Sequence, residues 1–154
     1  LFKFWEFCSA RIRGDSIFWL AKDHLTPEQK KVWDFLENLQ TEINQKLFLG
    51  LKEFETHVTY YPVGTFYKRH IDQFKDATQN KKRMVSFILY LNSNWQESDG
   101  GELVLYDPHL PKQELQRILP AFGKMVFFLS SEFEHEVLVT QKERMSLTGW
   151  FYQY

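Results

Sequence analysis

Cysteine is nearly absent from this chain. Cys8 is the only one among 154 residues, so no internal disulfide can form, which suits a reducing compartment. Long apolar runs are missing too. The longest unbroken ones, such as Phe87 to Leu91 and Met125 to Leu129, fall far below the roughly 20 residues that a helix needs to cross a bilayer. Excess charge of either sign is lacking. The formal net charge is −1, which supplies no general field for nucleic acid or an acidic membrane. No internal repeat and no low-complexity tract is present. No signal-peptide pattern opens the chain, and Leu1 suggests a trimmed start. The expectation is a cytoplasmic protein, or a nuclear one in a eukaryote, with no membrane partner.

What is abundant is aromatic. Fifteen Phe, 7 Tyr and 5 Trp bring the aromatic share to 18%, within 44% hydrophobic residues. This is enough to bury a core in one domain over residues 1–154, and it favours pleated surfaces over helices. Residues 1–25 read as a front segment. Thr26, Pro27 and Gln29 are an N-cap, a first-turn proline and a capping-box partner. Val32, Phe35, Leu36, Leu39, Ile43 and Leu47 follow at helical spacing, predicting a supporting helix over 26–49 with Gly50 as its stop. Beyond it lie short aromatic and aliphatic runs: Phe54 to Tyr61, Met84 to Leu91, Glu102 to Tyr106, Lys124 to Leu129 and Met145 to Tyr152. Turn signals separate them, and residues 73–82 read as a polar loop. The pattern predicts a mainly β fold, a double-stranded β-helix or jelly roll over 54–153, with the helix on its outer face.

His70 and Asp72 stand two apart, so an extended segment points both to one side. Alone, such a pair is commonplace. His135 lies beside the strand Lys124 to Leu129, and Arg144 follows nine residues later on the aromatic last strand. Two His and one carboxylate on one face of a metal leave open positions, as in non-haem Fe(II) oxygenases. Zinc is the chemical alternative. An Arg on a core-facing strand is costly without an anion, and a dicarboxylate would supply one.

The run Tyr67-Lys68-Arg69-His70-Ile71-Asp72 is joined by Tyr90-Leu91-Asn92, Gly100-Gly101-Glu102-Leu103, His135-Glu136-Val137 and Arg144 through Phe151. Together with Arg13-Gly14-Asp15 and Trp19, this set resembles the 2-oxoglutarate- and Fe(II)-dependent prolyl 4-hydroxylases of the oxygen-sensing type and their bacterial relatives. The resemblance covers about Ile12 to Tyr152. Only twelve residues precede Arg13, where such enzymes usually carry another strand and helix. The resemblance implies a dioxygenase that hydroxylates a prolyl residue in a protein, with O2 consumed and succinate and CO2 released. It implies iron on His70, Asp72 and His135, and the distal carboxylate of 2-oxoglutarate on Arg144 and Tyr90. Tyr61 and Thr148 would line the co-substrate pocket, and Arg13 and Trp150 would meet the peptide. Asp15 and Arg83 would form a salt bridge tying the front segment to the sheet. Ascorbate is the implied supporting reductant, and a translation factor or a hypoxia-regulated factor the implied kind of protein substrate.

Two other readings stay open. Nucleic-acid-dealkylating oxygenases share this chemistry but typically carry a second Arg six residues after the first, where this chain has Trp150. A non-catalytic, metal-binding jelly roll is the third. His24, His57 and His109 sit among polar or turn residues and read as ordinary.

Overall fold

The computed structural model describes residues 6–7, 11–73 and 80–154. Cys8 and most of the expected polar loop at 73–82 lie outside the described residues.

The helix begins as its sequence signals dictate. In α1 (Pro27–Leu47) the Thr26 hydroxyl accepts from the Gln29 N–H, and the Gln29 side chain accepts from the Thr26 N–H. It stops earlier than Gly50 implied. Phe48 takes a left-handed conformation at φ 55° and caps it. The reason is Asn44, whose amide accepts from the Leu51 N–H at 2.7 Å and donates to the Leu51 carbonyl at 2.8 Å. These bonds fold the chain back onto the last turn before Gly50 is reached.

Among the described residues ten strands follow the expected order, five of them unforeseen. They are β1 (Glu6–Phe7), β2 (Ser16–Trp19), β3 (Glu53–Tyr61), β4 (Tyr67–His70), β5 (Lys82–Tyr90), β6 (Leu103–Tyr106), β7 (Glu114–Ile118), β8 (Met125–Leu129), β9 (His135–Val137) and β10 (Arg144–Gln153). One antiparallel sheet runs β1-β2-β3-β10-β5-β8 and the other β4-β9-β6-β7. The strands that the sequence pattern missed (β1, β2, β4, β7 and β9) are short or polar. Strand β7, for example, is exposed at four of its five positions.

Strand parity divides the interior in two. On β10, Leu147, Gly149 and Phe151 face one way, with Val85 and Phe87 of β5 beside them. These residues meet Leu36, Val32, Leu39 and Ile43 of α1 in one core. Successive residues point to opposite faces, so Arg144, Ser146, Thr148 and Trp150 turn inward. Between the sheets, Tyr61, Ile88, Tyr90, Leu103, Leu105, Phe128 and Val137 form a second core. Each large buried side chain contributes about 1.5–3 kcal/mol.

Gly149 sits where the two faces crowd most. A Cβ there would lie 2.2 Å from the Glu55 carbonyl oxygen and 2.5 Å from the Phe87 ring. Gly149→Ala should therefore destabilise the fold by roughly 1–3 kcal/mol through overpacking. The measurement is the urea midpoint, and an unchanged midpoint would mean that β3 and β10 separate there without cost.

Candidate active site

A cavity of about 290 Å³ opens between the two sheets. Its wall is made by the inward faces of β3, β5 and β10 together with β2, β4 and β9.

The two histidines of the expected triad are direct cross-strand partners, His70 on β4 against His135 on β9. Asp72 stands just past the end of β4 in a bend, not in extended backbone. One ligand atom from each of the three residues lies within 4.8 Å of the other two. The Nε2 atoms of His70 and His135 are 3.5 and 3.7 Å from the Asp72 carboxylate oxygens. Both rings donate Nδ1–H to a backbone carbonyl, His70 to Lys68 at 2.7 Å and His135 to Phe133 at 3.2 Å. That fixes the tautomer and turns both Nε2 lone pairs towards one point, the usual preparation for metal ligation. Tyr67 stacks flat on His70 at 3.7 Å and Phe128 packs against His135 at 4.7 Å.

The protonation states suit a cation. Burial pushes the Asp72 carboxyl up, but the histidines, the Ser86 hydroxyl at 2.6 Å and the Trp150 indole outweigh it, so it stays well below the usual carboxylate range. The indole acts without reaching hydrogen-bond geometry. Burial, with His70 nearby, pulls His135 down to about 4, against the opposing pull of Asp72. Two imidazole nitrogens and one carboxylate are the donor set that a divalent iron accepts.

Elsewhere in the cavity lining is Arg144, only 1% exposed. Its Nε–H donates to the Gly101 carbonyl at 2.8 Å, and its guanidinium lies 5.0 and 5.2 Å from the Tyr61 and Tyr90 rings. No carboxylate pairs with it among the described residues. One of its terminal nitrogens and the Tyr90 hydroxyl are buried without any hydrogen-bond partner. Burial lifts Tyr90 to about 12, so it stays a protonated donor. A buried cation beside a buried hydroxyl, both unsatisfied, is a receptor for a carboxylate. These orphaned donors and the nearby triad fit 2-oxoglutarate and iron respectively. Gly101 is part of this receptor. It sits at φ +67°, and a Cβ there would meet Thr140 and Arg144 at 3.0–3.1 Å.

Tyr61 and Thr148 also line the cavity. Tyr61 is 3% exposed, and Thr148 bonds weakly to Thr59 and Ser146. Arg13 and Trp150 are in the lining as well. The expected Asp15–Arg83 salt bridge gives way to other pairings. Asp15, buried at 1%, pairs with Arg13 through two bonds. Arg83 instead lies over the Trp150 ring at 3.7 Å and reaches Glu55 at 3.5 Å. Proximity decides this: Arg13 is two residues away, while Glu55 and Tyr152 hold Arg83 at the sheet. His57, read from sequence as ordinary, is 2% exposed and lines the cavity. The signal lay in its parity with Thr59 and Tyr61 on β3.

Residues 56–152 match the sequence profile of the 2OG-Fe(II) oxygenase superfamily. The chain belongs to that superfamily. A prolyl-4-hydroxylase from Pseudomonas putida is 42% identical, with a TM-score of 0.87 over 97% of this chain and 78% of that one. A Trichoplax adhaerens prolyl hydroxylase, solved with a peptide fragment of a hypoxia inducible factor, is 30% identical. Its TM-score is 0.80 over 94% of this chain and 66% of that one. Over 77 residues, 46% of this chain, the sequence is 43% identical to prolyl 3-hydroxylase OGFOD1 of Mus musculus, and that match spans 14% of the mouse protein. Among the described residues, no helix is long and apolar enough to cross a membrane.

The metal-free oxygenase domain should lose stability in mild acid. His135 and His57 are both held neutral down to about 4, chiefly by burial, whereas unfolded histidines take up protons near 6.5. The unfolded state therefore binds protons first as pH falls. The stability is complete above 6.5 and drains away towards pH 4, on the order of 3 kcal/mol for each histidine. Urea midpoints of chelator-treated protein from pH 7.5 to 4.5 measure it, and a flat profile would contradict the burial of these rings as neutral groups.

Proposed function

We propose that this chain is the catalytic domain of a 2-oxoglutarate- and Fe(II)-dependent hydroxylase of prolyl residues in proteins, comprising the front segment, α1 and the jelly-roll core. The observation that carries the co-substrate is the unpaired Arg144 guanidinium and Tyr90 hydroxyl, buried in the cavity that also holds the His–Asp–His cluster. The prolyl substrate rests on the relatives, above all the Pseudomonas putida prolyl-4-hydroxylase that aligns along almost the whole chain.

In this reading His70, Asp72 and His135 would hold iron, leaving open positions for co-substrate and O2. Bound iron and 2-oxoglutarate together supply the oxidising power, with succinate and CO2 as by-products and ascorbate as a supporting reductant. The chain's own residues do the rest. Arg144 and Tyr90 grip the distal carboxylate and so set how far the keto-acid end reaches, and a bidentate guanidinium does this better than a lysine. Tyr61 and Thr148 flank that ligand. The apolar wall excludes water, and Trp150 and Arg13 present themselves to the peptide. The relatives include 3-, 3,4- and 4-hydroxylases, and we place the new hydroxyl at C4 on the strength of the long Pseudomonas alignment. A hypoxia-regulated factor or a translation factor is the class of protein we assign as substrate. Nucleic-acid dealkylation is disfavoured by Trp150 and the net charge of −1.

Anaerobic protein with Fe(II) and 2-oxoglutarate should show a visible metal-to-ligand charge-transfer band that His135→Ala abolishes. Absence of the band, or its survival in that variant, would end the assignment. Arg144→Ala should weaken 2-oxoglutarate binding by about 30-fold or more and change Fe(II) affinity little, as read by calorimetry. Equal loss of both ligands would mean that Arg144 only supports the fold. Mass spectrometry of a proteome treated with the enzyme should reveal a +16 Da shift on proline, and fragment spectra of synthetic standards locate the carbon. Shifts confined to other residues would refute the prolyl reading.

A further inference from the structure

One wall of the cavity is built from Trp19, His57 and Trp150. The three rings pack against one another, with the His57 centroid 4.7 Å from Trp19 and 5.5 Å from Trp150 and the indoles 6.4 Å apart. It is 2% exposed, yet neither ring nitrogen makes a hydrogen bond among the described residues. Nδ1 is sealed off and unpartnered, Nε2 is not sealed, and the residue lines the cavity. Buried polar groups are nearly always satisfied, so an imidazole with no partner of its own in the lining of a binding cavity has its unsealed nitrogen free for a group on a ligand.

The chemistry of the wall narrows what that group is. Burial, then the Arg13 guanidinium, keeps this imidazole neutral, so it carries one proton. A sealed N–H without an acceptor is rarer than a sealed lone pair, which puts the proton on the unsealed Nε2. The neighbouring hydroxyl donors are already engaged. The Ser86 hydroxyl serves Asp72, and Thr59, Thr148 and Ser146 bond among themselves. The Trp150 indole favours the Asp72 anion. His57 is left over as a donor beside that indole, whose N–H makes no hydrogen bond either but supports the Asp72 anion.

We propose that His57 is a substrate-recognition residue whose Nε2–H donates to a backbone carbonyl oxygen of the peptide beside the target proline. This rests on the prolyl reading above. A prolyl residue has no N–H of its own, so that residue and the carbonyl before it present acceptors only. A wall of aromatic faces carrying a spare donor is complementary to such a segment.

The test uses the protein loaded with Mn(II) and 2-oxoglutarate and titrated with acetyl-Ala-Ala-Pro-Ala-Ala-amide. Tryptophan fluorescence follows peptide binding, and calorimetry follows 2-oxoglutarate. His57→Leu should weaken the peptide about 10-fold, equal to about 1.4 kcal/mol, and leave 2-oxoglutarate within about twofold of wild type. His57→Gln, which keeps an N–H donor, should recover most of the peptide affinity. A thermal melt checks the fold, with His57→Met as the replacement where the leucine variant does not fold. Unchanged peptide affinity in His57→Leu overturns the proposal. So does parallel loss of peptide and 2-oxoglutarate, or a glutamine variant as weak as leucine. Wild-type protein that binds 2-oxoglutarate but not the peptide counts against the prolyl reading itself and takes this proposal down with it.

Discussion

The alternation of side chains along β10 is the constraint on which both halves of this molecule depend. The strand lies between β3 and β5 at the middle of the large sheet, so neither face meets solvent freely. Its odd positions Leu147, Gly149 and Phe151 must satisfy the helix. Its even positions Arg144, Ser146, Thr148 and Trp150 must satisfy the cavity. A slip of one residue would exchange these sets, driving a guanidinium into the helix core and a phenylalanine into the ligand site. The helix thus does more than cover an apolar surface. By demanding Leu36 against Phe87 and Phe151, it locks the register that aims Arg144 inward.

That aim has an energetic cost, and the cost explains the site. A guanidinium at 1% exposure holds one hydrogen bond among the described residues, to the Gly101 carbonyl, and lies near two tyrosine rings that stabilise it only weakly. Leaving the remaining donors unmatched costs more than any of these contacts returns. The strain is local, however. At the triad, Asp72 has a serine, two imidazoles and an indole arranged to keep it anionic. Charge is thus positive and unmet around Arg144 and negative and unmet around the triad. A ligand that brings a carboxylate to one and shares a divalent cation with the other relieves both at once.

Much of this was legible before any coordinates, but unevenly. The helix start was readable because Thr26, Pro27 and Gln29 act within one turn. Strands β3, β5, β6, β8 and β10 were readable because buried strands need aromatic and aliphatic runs. Triad and arginine were readable as a set, since ligand chemistry restricts residue type. What escaped depended on partners remote in sequence. Strands β4 and β9 are too short to show periodicity, and they exist because His70 and His135 pair across them. The helix end escaped because an Asn44 side chain, not a glycine, turned the chain. His57 escaped because its neighbours in sequence are polar while its neighbours in space are tryptophans. The Asp15–Arg83 pairing failed for a related reason: a resemblance carries residue types, whereas the pair that forms is set by which guanidinium is nearest.

The Arg13–Asp15 pair changes what the front segment does. Gly14 donates its N–H to Phe66, and Lys68 donates back to Ile12, both at 2.9 Å, so this stretch lies against β4 of the small sheet. Immediately afterwards β2 joins β3 of the large one. Gly14 is required there by the close approach, since a Cβ would meet Thr65 at 2.7 Å. The segment therefore stitches the two sheets beside the cavity. Arg13 is held by Asp15 on one side and lies 4.3 Å from the Tyr67 ring on the other, and Tyr67 in turn backs His70. A residue anticipated only as a contact for the peptide is thus also the outer layer of the candidate metal site. Whatever touches Arg13 from the cavity touches a stack that ends on a histidine of the candidate triad.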